Sequence, residues 1–371
     1  MNNRELRPTV LILGKLPPPH MGPAIATQIL LKSELASKYR LHHIDTRGIQ
    51  DLSSFGKISL VKLRRYLVSY VELLLAHLRN RHALTLIPIS QTPSGFLKDS
   101  VYILITKVFS APFLVQVRGS EFGLMYANAG RILRKLVRFT VGMASGAIVL
   151  SERLRSMFEG IMPDEKIYVA WNGIDLPTIH KVARSGVIRI TCISSLHPRK
   201  GIEDLIRAVA IVQSRYPEIV ECSIGGGWTS NAFEREIETV IEETGADIRF
   251  LGVVTGESKL KLLSESDIFV FTPRRPEGHP WVIVEALAAG LPIIATDKGA
   301  IADCVLDGFN GFIVPDQSPE KIADALVKLI ADDELRGRMA DESHRHYLAK
   351  YTEKGMVENY ITCFEHVLSE R

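Results

Sequence analysis

Cysteine is scarce: Cys192, Cys222, Cys304 and Cys363 are the only four in 371 residues, far apart and in no C-x-x-C pair. This spacing offers neither a disulfide framework nor a cysteine metal site, and a reducing cytoplasm is the compartment expected. Long apolar runs are missing as well. The first, "VLILG", covers only residues 10–14, too short for the hydrophobic region of a secretory signal. The stretches 67–78 and 96–109 are too short, or too interrupted by charge, to span a bilayer, so a soluble or peripheral protein is expected. No low-complexity tract is present. Neither G-x-x-x-x-G-K-[ST] nor G-x-G-x-x-G occurs, which removes the P-loop and the dinucleotide fingerprint.

The length, 371 residues, exceeds one ordinary core and points to two domains or slightly more. A formal net charge of +3 hides an asymmetry. Residues 1–175 hold 23 Lys and Arg against 12 Asp and Glu, whereas 176–371 hold 22 against 30. A first half at +11 beside a second at −8 suggests that the first faces something anionic.

Short β-rich runs alternate with helical stretches, the pattern of parallel α/β units. Strands are expected at 9–14, 84–89, 113–117 and 146–150, and a helix from about Pro23. A second series begins at 187–194 and continues through "IVECSIG", "DIRFLG", "DIFVFTP" and "PIIATD". Residues 172–186 carry turn residues and few apolar ones, so the joint between domains is placed there. Residues 353–369 read as a final helix.

Strands that end in glycine and feed a helix are natural phosphate sites, because helix N-termini offer free N–H groups and partial positive charge. Three loops qualify: 16–24, 194–204 and 225–230. Taken singly, each is better read as a plain turn. A sharper signal lies in "EGHPWVIVEALAAGLPIIAT", residues 277–296, where Glu277 and Glu285 bracket a largely apolar run. A buried carboxylate is costly unless it is paired or binds something. Pro280 suits a first helical turn and Gly290 an exit, so Glu285 is expected inside a helix and Glu277 in the loop before it.

Taken in order, "NGID" (172–175), "RKGIEDLIRAV" (199–209), "IGGG" (224–227), "FLGVV" (250–254), "SDIFVFTP" (266–273), the 277–296 segment and "GAIADCVLDGFNGFIVP" (299–315) carry a resemblance. The chain resembles family 4 of the retaining glycosyltransferases, the group 1 transferases of GT-B fold. The match covers the second half almost completely and the first loosely.

The resemblance implies an α/β protein of two Rossmann-like parallel domains facing across a cleft. Residues 1–175 would bind the acceptor and 176–352 the nucleotide-sugar donor, with a C-terminal helix, 353–371, packing back towards the first domain. It implies a retaining, metal-independent transferase whose co-substrate is a nucleotide-diphosphate sugar, with no further cofactor. Among site residues it implies that Glu285 accepts hydrogen bonds from both ribose hydroxyls, as a two-oxygen acceptor suits a diol; the alternative is a capped or paired structural residue. Glu277 would contact the sugar, with the backbone of Gly278, His279, Pro280 and Trp281 beside it. Lys200 would neutralise the departing diphosphate. Arg199 either helps or is solvated. Gly225 and Val253 complete the donor residues.

The chain departs from the family at three places. Ser194 and Ser195 stand where Gly-Arg is usual, so one diphosphate cation is missing or comes from elsewhere. Gln116 and Arg118 replace a histidine pattern, and Arg118 either supplies the positive charge or pairs with Glu121. Gly22 precedes Pro23 where a Gly-Gly pair is common, and Gly22 still lets backbone approach phosphate. His20 in that loop touches substrate or is a surface residue. No D-x-D occurs, so the metal site of the other large glycosyltransferase class is absent from the sequence.

Arg131, Arg134, Lys135 and Arg138 recur at i, i+3, i+4 and i+7, one basic helical face, with Ile132, Leu133, Leu136 and Val137 expected opposite. Residues 62–81 add basic ends around an apolar middle. Either these are solvated helix faces, or they meet an anionic membrane, which attracts roughly 1 kcal/mol per basic residue close to its surface. The second reading places the protein peripherally on the inner face of the cytoplasmic membrane, reaching a saccharide or polyprenyl-linked acceptor in bacterial cell-surface polysaccharide or lipopolysaccharide synthesis. Nucleic acid is not expected, since the cations are not interleaved with stacking aromatics. Two alternatives stand beside the transferase: an epimerase acting on the nucleotide sugar itself, and a non-catalytic nucleotide-sugar-binding scaffold subunit.

Overall fold

The central apolar runs become parallel strands, and the segments between them become crossover helices. A computed structural model describes residues 7–18, 21–47, 60–177, 179 and 186–370. His20 and much of the joint expected at 172–186 lie outside the described residues. The chain divides into two units, one of Met1–Asn172 with Glu353–Arg371, the other of Gly173–Thr352.

The first unit runs β1 (Thr9–Gly14), α1 (Gly22–Lys32), α2 (Leu35–Lys38), β2 (Arg40–Asp45), α3 (Leu60–Arg79), β3 (Leu84–Pro88), α4 (Pro93–Val108), β4 (Phe113–Gln116), α5 (Phe122–Ala127), α6 (Arg131–Val141), β5 (Gly146–Val149) and β6 (Ile167–Val169). Its sheet has the order β2-β1-β3-β4-β5-β6, every pair parallel. Register sets Val10 of β1 opposite Leu41 and Leu84. The step from β1 to β2 runs one way along the sheet, and the later steps run the other. Right-handed crossovers therefore put α1 on one face and α3, α4 and α6 on the opposite face. There α3 packs on α4, and α4 on α6.

Helix α3 turns a polar side inward. Ser69 and His77 are buried. Ser69 Oγ lies 2.6 Å from Tyr102 Oη, and His77 Nε2 lies 3.3 Å from both Thr106 Oγ1 and Thr85 Oγ1. Ser69 Oγ and His77 Nε2 thus have partners, which offsets part of the desolvation penalty, while His77 Nδ1 is buried without one. Burial lowers the His77 pKa to about 4, so the ring is neutral.

The last helix, α14 (Glu353–Ser369), belongs to this unit. Tyr39 packs edge-on against Phe364 at 5.7 Å, Lys38 pairs with Glu365 at 3.1 Å, and Tyr168 Oη meets His366 Nδ1 at 2.6 Å.

The second unit runs β7 (Ile188–Ile193), α7 (Ile202–Arg215), β8 (Val220–Gly225), α8 (Asn231–Thr244), β9 (Ile248–Phe250), α9 (Gly256–Ser264), β10 (Ile268–Phe271), α10 (Trp281–Ala288), β11 (Ile293–Thr296), α11 (Ile301–Cys304), β12 (Gly311–Val314), α12 (Pro319–Ala331) and α13 (Asp333–Lys350). Its sheet order is β12-β11-β10-β7-β8-β9, again parallel throughout. Ile190, Ile224, Ile268 and Ile294 from the strands meet Ile206 and Val209 of α7 and Leu326 of α12 in one buried core. Among the described residues no helix is long and apolar enough to cross a membrane.

Candidate active site

The loop after β7 is a single 3-10 turn, Pro198–Lys200, closed by Gly201 with φ of 70°. A Cβ at Gly201 would sit 2.0 Å from the carbonyl oxygen of Thr272, so only glycine admits this approach of the loop to the end of β10. Arg199 O accepts from Arg274 N at 2.8 Å. The Arg274 guanidinium bonds Asp204 at 2.7 and 2.9 Å and Glu203 at 3.0 Å, tying the start of α7 to the loop after β10. This lashing brings Lys200 and Glu277 together: Lys200 Nζ donates to Glu277 Oε1 at 2.6 Å. Glu277 is itself fixed by a backbone bridge to Gly299, with Ala300 N donating to its carbonyl at 3.2 Å. An ammonium has three donors, and Glu277 takes one, leaving capacity for an anion.

Glu285 lies within α10, flanked by the buried Ile283, Val284, Ala286 and Leu287, and is itself 3% exposed. One oxygen, Oε1, accepts from Lys259 Nζ of α9. The other, Oε2, is buried without a hydrogen-bond partner. Burial pushes the carboxyl above the usual carboxylate range, while the Lys259 ammonium pulls it back. A buried carboxylate with one paired and one open oxygen is a receptor for a hydroxyl donor.

The neighbouring residues are placed as follows. Pro280 occupies the position just before α10, one residue earlier than the first turn expected, and Gly290 follows its end with φ of 61°. Gly278 and Trp281 are half-buried. His279 is 4% exposed, its ring 5.1 Å from that of Tyr351 and Nε2 3.2 Å from Cys304 Sγ. Its imidazole is thus built into the core, with the pKa lowered to about 3 by burial, and only its backbone is left to offer a ligand. Gly225 ends β8, and the Ser194–Leu196 loop zips onto the glycine run, Ser194 N to Gly225 O and Leu196 N to Gly227 O both at 2.9 Å. A Cβ on Gly226 would fall 1.7 Å from Ser194 O, which is why the run must be glycine there. Ser195, Arg199 and Val253 are exposed.

Gly22 and Arg118 belong to the first unit. Gly22 opens α1 directly after Met21. Arg118 follows β4, and its Nη2 donates to Tyr360 Oη of α14 at 3.3 Å. Gln116 Nε2 donates to the same hydroxyl, so the final helix anchors both residues that replace the family's histidines.

On α6 the four cations are exposed, and Arg134 donates to the carbonyls of Ala127 and Ala129 at 2.9 and 3.1 Å. The apolar side expected opposite needs correction. Val137, Thr140 and Val141 face inward, whereas Ile132 is 87% exposed. One residue turns a helix by about 100°, so Ile132 flanks the cations instead of opposing them.

Sequence reasoning missed Lys259 and Arg274. Lys259 sits four residues before Leu263, the buried residue of α9, which was the available hint of an inward position. Nothing in the spacing around Arg274 marks it.

The family model for glycosyl transferases group 1 matches residues 180–346. A D-inositol 3-phosphate glycosyltransferase of Corynebacterium urealyticum is 33% identical over 176 residues, which is 45% of this chain and 41% of that protein. The chain spans less than two thirds of the length of the first curated relatives that it matches, the next two being covered to 59%. Among solved structures, sucrose-phosphate synthase from Thermosynechococcus elongatus superposes with a TM-score of 0.76 at 14% identity, over 98% of this chain and 100% of that one. Anabaena Alr3699/HepE in complex with UDP-glucose gives 0.72 at 17%, over 97% and 99%. These likenesses establish the fold, two parallel α/β units of the GT-B type.

Proposed function

We propose that the chain, whose residues 180–346 match the family model for glycosyl transferases group 1, transfers a sugar from a nucleotide-diphosphate donor to a saccharide or lipid-linked saccharide. The observation that carries this reading is Glu285, a carboxylate buried in an apolar helix with one oxygen on Lys259 and the other open. The open oxygen is offered to a ribose hydroxyl. Lys200 bridges the sugar-facing Glu277 to the diphosphate, and stabilises the negative charge that develops as the bond from the anomeric carbon to the phosphate oxygen breaks. Transfer proceeds with retention and without a metal. The departing phosphate oxygen takes the acceptor's proton, so no protein base is required. Arg118, steadied by Tyr360, is the positive charge that the first unit holds in readiness.

The acceptor is a saccharide or polyprenyl-linked saccharide of bacterial cell-surface polysaccharide or lipopolysaccharide synthesis. The protein works peripherally on the anionic inner face of the cytoplasmic membrane. The charge excess of the first half and the exposed α6 cations support this placement.

A thermal-shift panel of UDP, GDP, ADP and their common sugars tests the donor reading. A ligand at a hundred times its Kd stabilises by about 2.7 kcal/mol, which is several degrees at about 2–4 °C per kcal/mol. One nucleotide is expected to shift the native protein and not Glu285→Ala. A panel without any shift sinks the donor site, whereas a shift without sugar transfer favours the scaffold reading.

A further inference from the structure

Helix α3 buries Leu73 and Ala76 against its unit and yet carries a second, longer apolar stripe on its outer side. Its inward side carries Ser69, Tyr70 and His77 in side-chain hydrogen bonds to Tyr102, Thr106, Thr85 and the backbone of Lys98. Its outward side carries Leu60, Leu63, Leu67, Val71, Leu74 and Leu78, each between 41% and 85% exposed. Their spacing of three and four residues keeps them on one stripe along the helix. The helices packed beside it expose apolar residues as well, Leu97, Leu104 and Val108 on α4 and Ile132 and Phe139 on α6. Of the 21 exposed large hydrophobic residues among those described, 14 lie on these three helices. A concentration of exposed apolar residues of this kind marks an interaction site.

The charge around the stripe selects its occupant. Arg64, Arg65, Arg79, Lys107, Arg131, Lys135 and Arg138 are exposed on the same three helices. The two acids these helices contain are Glu72, half-buried, and Asp99, buried. A second copy would bring cations against cations, whereas an anionic lipid surface takes both the apolar stripe and the cationic border. Resting on the membrane reading above, we propose that α3, α4 and α6 form an apolar platform that inserts into the monolayer of an anionic membrane. Contact is thus by burial of leucine and valine, with the cations setting the preference for anionic lipid. At 20 residues α3 is about 30 Å long, and it lies in the plane of the interface.

Flotation tests this, using vesicles of phosphatidylcholine with and without phosphatidylglycerol, at low and high salt. The native chain is expected to float with the anionic vesicles and to stay bound at high salt. Leu67→Glu/Leu74→Glu is expected to lose at least tenfold in partitioning while keeping its nucleotide-induced thermal shift. If that variant floats like the native chain and salt releases both, adsorption is electrostatic: the membrane reading stands and insertion falls. If the native chain floats with no vesicle, both fall. A dimer in solution that the variant dissolves, without vesicle binding, makes the face a self-association surface and overturns the proposal.

A milder substitution guards against misfolding of the double variant. The four native cysteines are buried, so Leu67→Cys takes an environment-sensitive fluorophore selectively. Its emission is expected to shift to the blue on anionic vesicles, while the same label at Leu348→Cys, on an exposed position of the second unit, does not move. An unshifted Leu67 label overturns insertion.

Discussion

Helix α10 of the second unit buries a carboxylate among isoleucine, valine and leucine, while helix α3 of the first buries a serine and a histidine and leaves leucines in solvent. Both depart from the rule that apolar residues go in and polar ones out, and they do so in opposite directions. In α10 the buried group is only half-satisfied, Oε1 by Lys259 and Oε2 by nothing, which is the condition for a small-molecule site. In α3 Ser69 Oγ and His77 Nε2 have partners within the protein, only the neutral ring nitrogen His77 Nδ1 is left without one, and the larger departure lies on the outer face. An unmet carboxylate oxygen inside points to a ligand, and unburied apolar area outside points to a surface that covers it. The same parallel α/β plan thus serves two ends, matching the charge contrast between a basic first half and an acidic second.

The largest effect is expected at the half-satisfied group. Glu285→Ala should abolish the nucleotide-induced thermal shift and the transfer of sugar, while flotation with anionic vesicles persists; loss of both together would break the separation between the units. Next, Lys200→Ala should lower kcat by about 10²–10³, the range for removing one charge-stabilising donor. Steady-state kinetics that show a changed KM with kcat intact would assign Lys200 to binding alone.

Lys259→Met should weaken nucleotide binding by about tenfold, in line with the loss of one hydrogen bond to a charged group, and should make it depend on pH. Burial raises the Glu285 pKa and Lys259 opposes that rise. Without the lysine the carboxyl holds its proton to higher pH, so affinity should fall as pH falls. Titration calorimetry across pH would expose a flat profile, which would remove Lys259 from the site.

Acid stability is expected to respond in both units. The folded pKa of His77 is lowered to about 4 and that of His279 to about 3, against 6.5 in an unfolded chain. Between those values the unfolded state binds a proton that the folded state refuses. Stability contributed by each neutral ring is therefore complete above pH 6.5 and declines as pH falls towards the folded pKa, by about 1.4 kcal/mol per pH unit. Calorimetric melting should show His77→Gln flattening the acid slope of the first unit and leaving that of the second. Equal flattening of both would show that the two units unfold as one.

The strands legible in the sequence were mostly the central ones, whose apolar runs are buried on both faces, as β1, β3, β4, β7, β10 and β11 are. Of the four edges β9 was foreseen from "DIRFLG", whereas β2, β6 and β12 were not, because a strand with one open side alternates weakly and resembles a loop: β2 reads "RLHHID". In the candidate site, Glu277 in a loop and Glu285 in a helix followed from proline and glycine placement. His279 did not, because nothing local shows that Tyr351 and Cys304 would enclose its ring.

By itself the sequence determined two parallel α/β series, the boundaries of the last helix, the charge asymmetry and the motif that carries Glu277 and Glu285. These depend on neighbours within a few residues, where period, capping and composition act. Tertiary structure alone decided that Lys259 reaches Glu285, that Arg274 lashes the Lys200 loop, and which side of α3 faces in. An apolar stripe at helical spacing specifies a helix and not the direction of its stripe. Tyr102, Thr106 and Thr85, distant in sequence, offer hydrogen-bond partners to the side that also buries Leu73, and the longer leucine stripe is left outside.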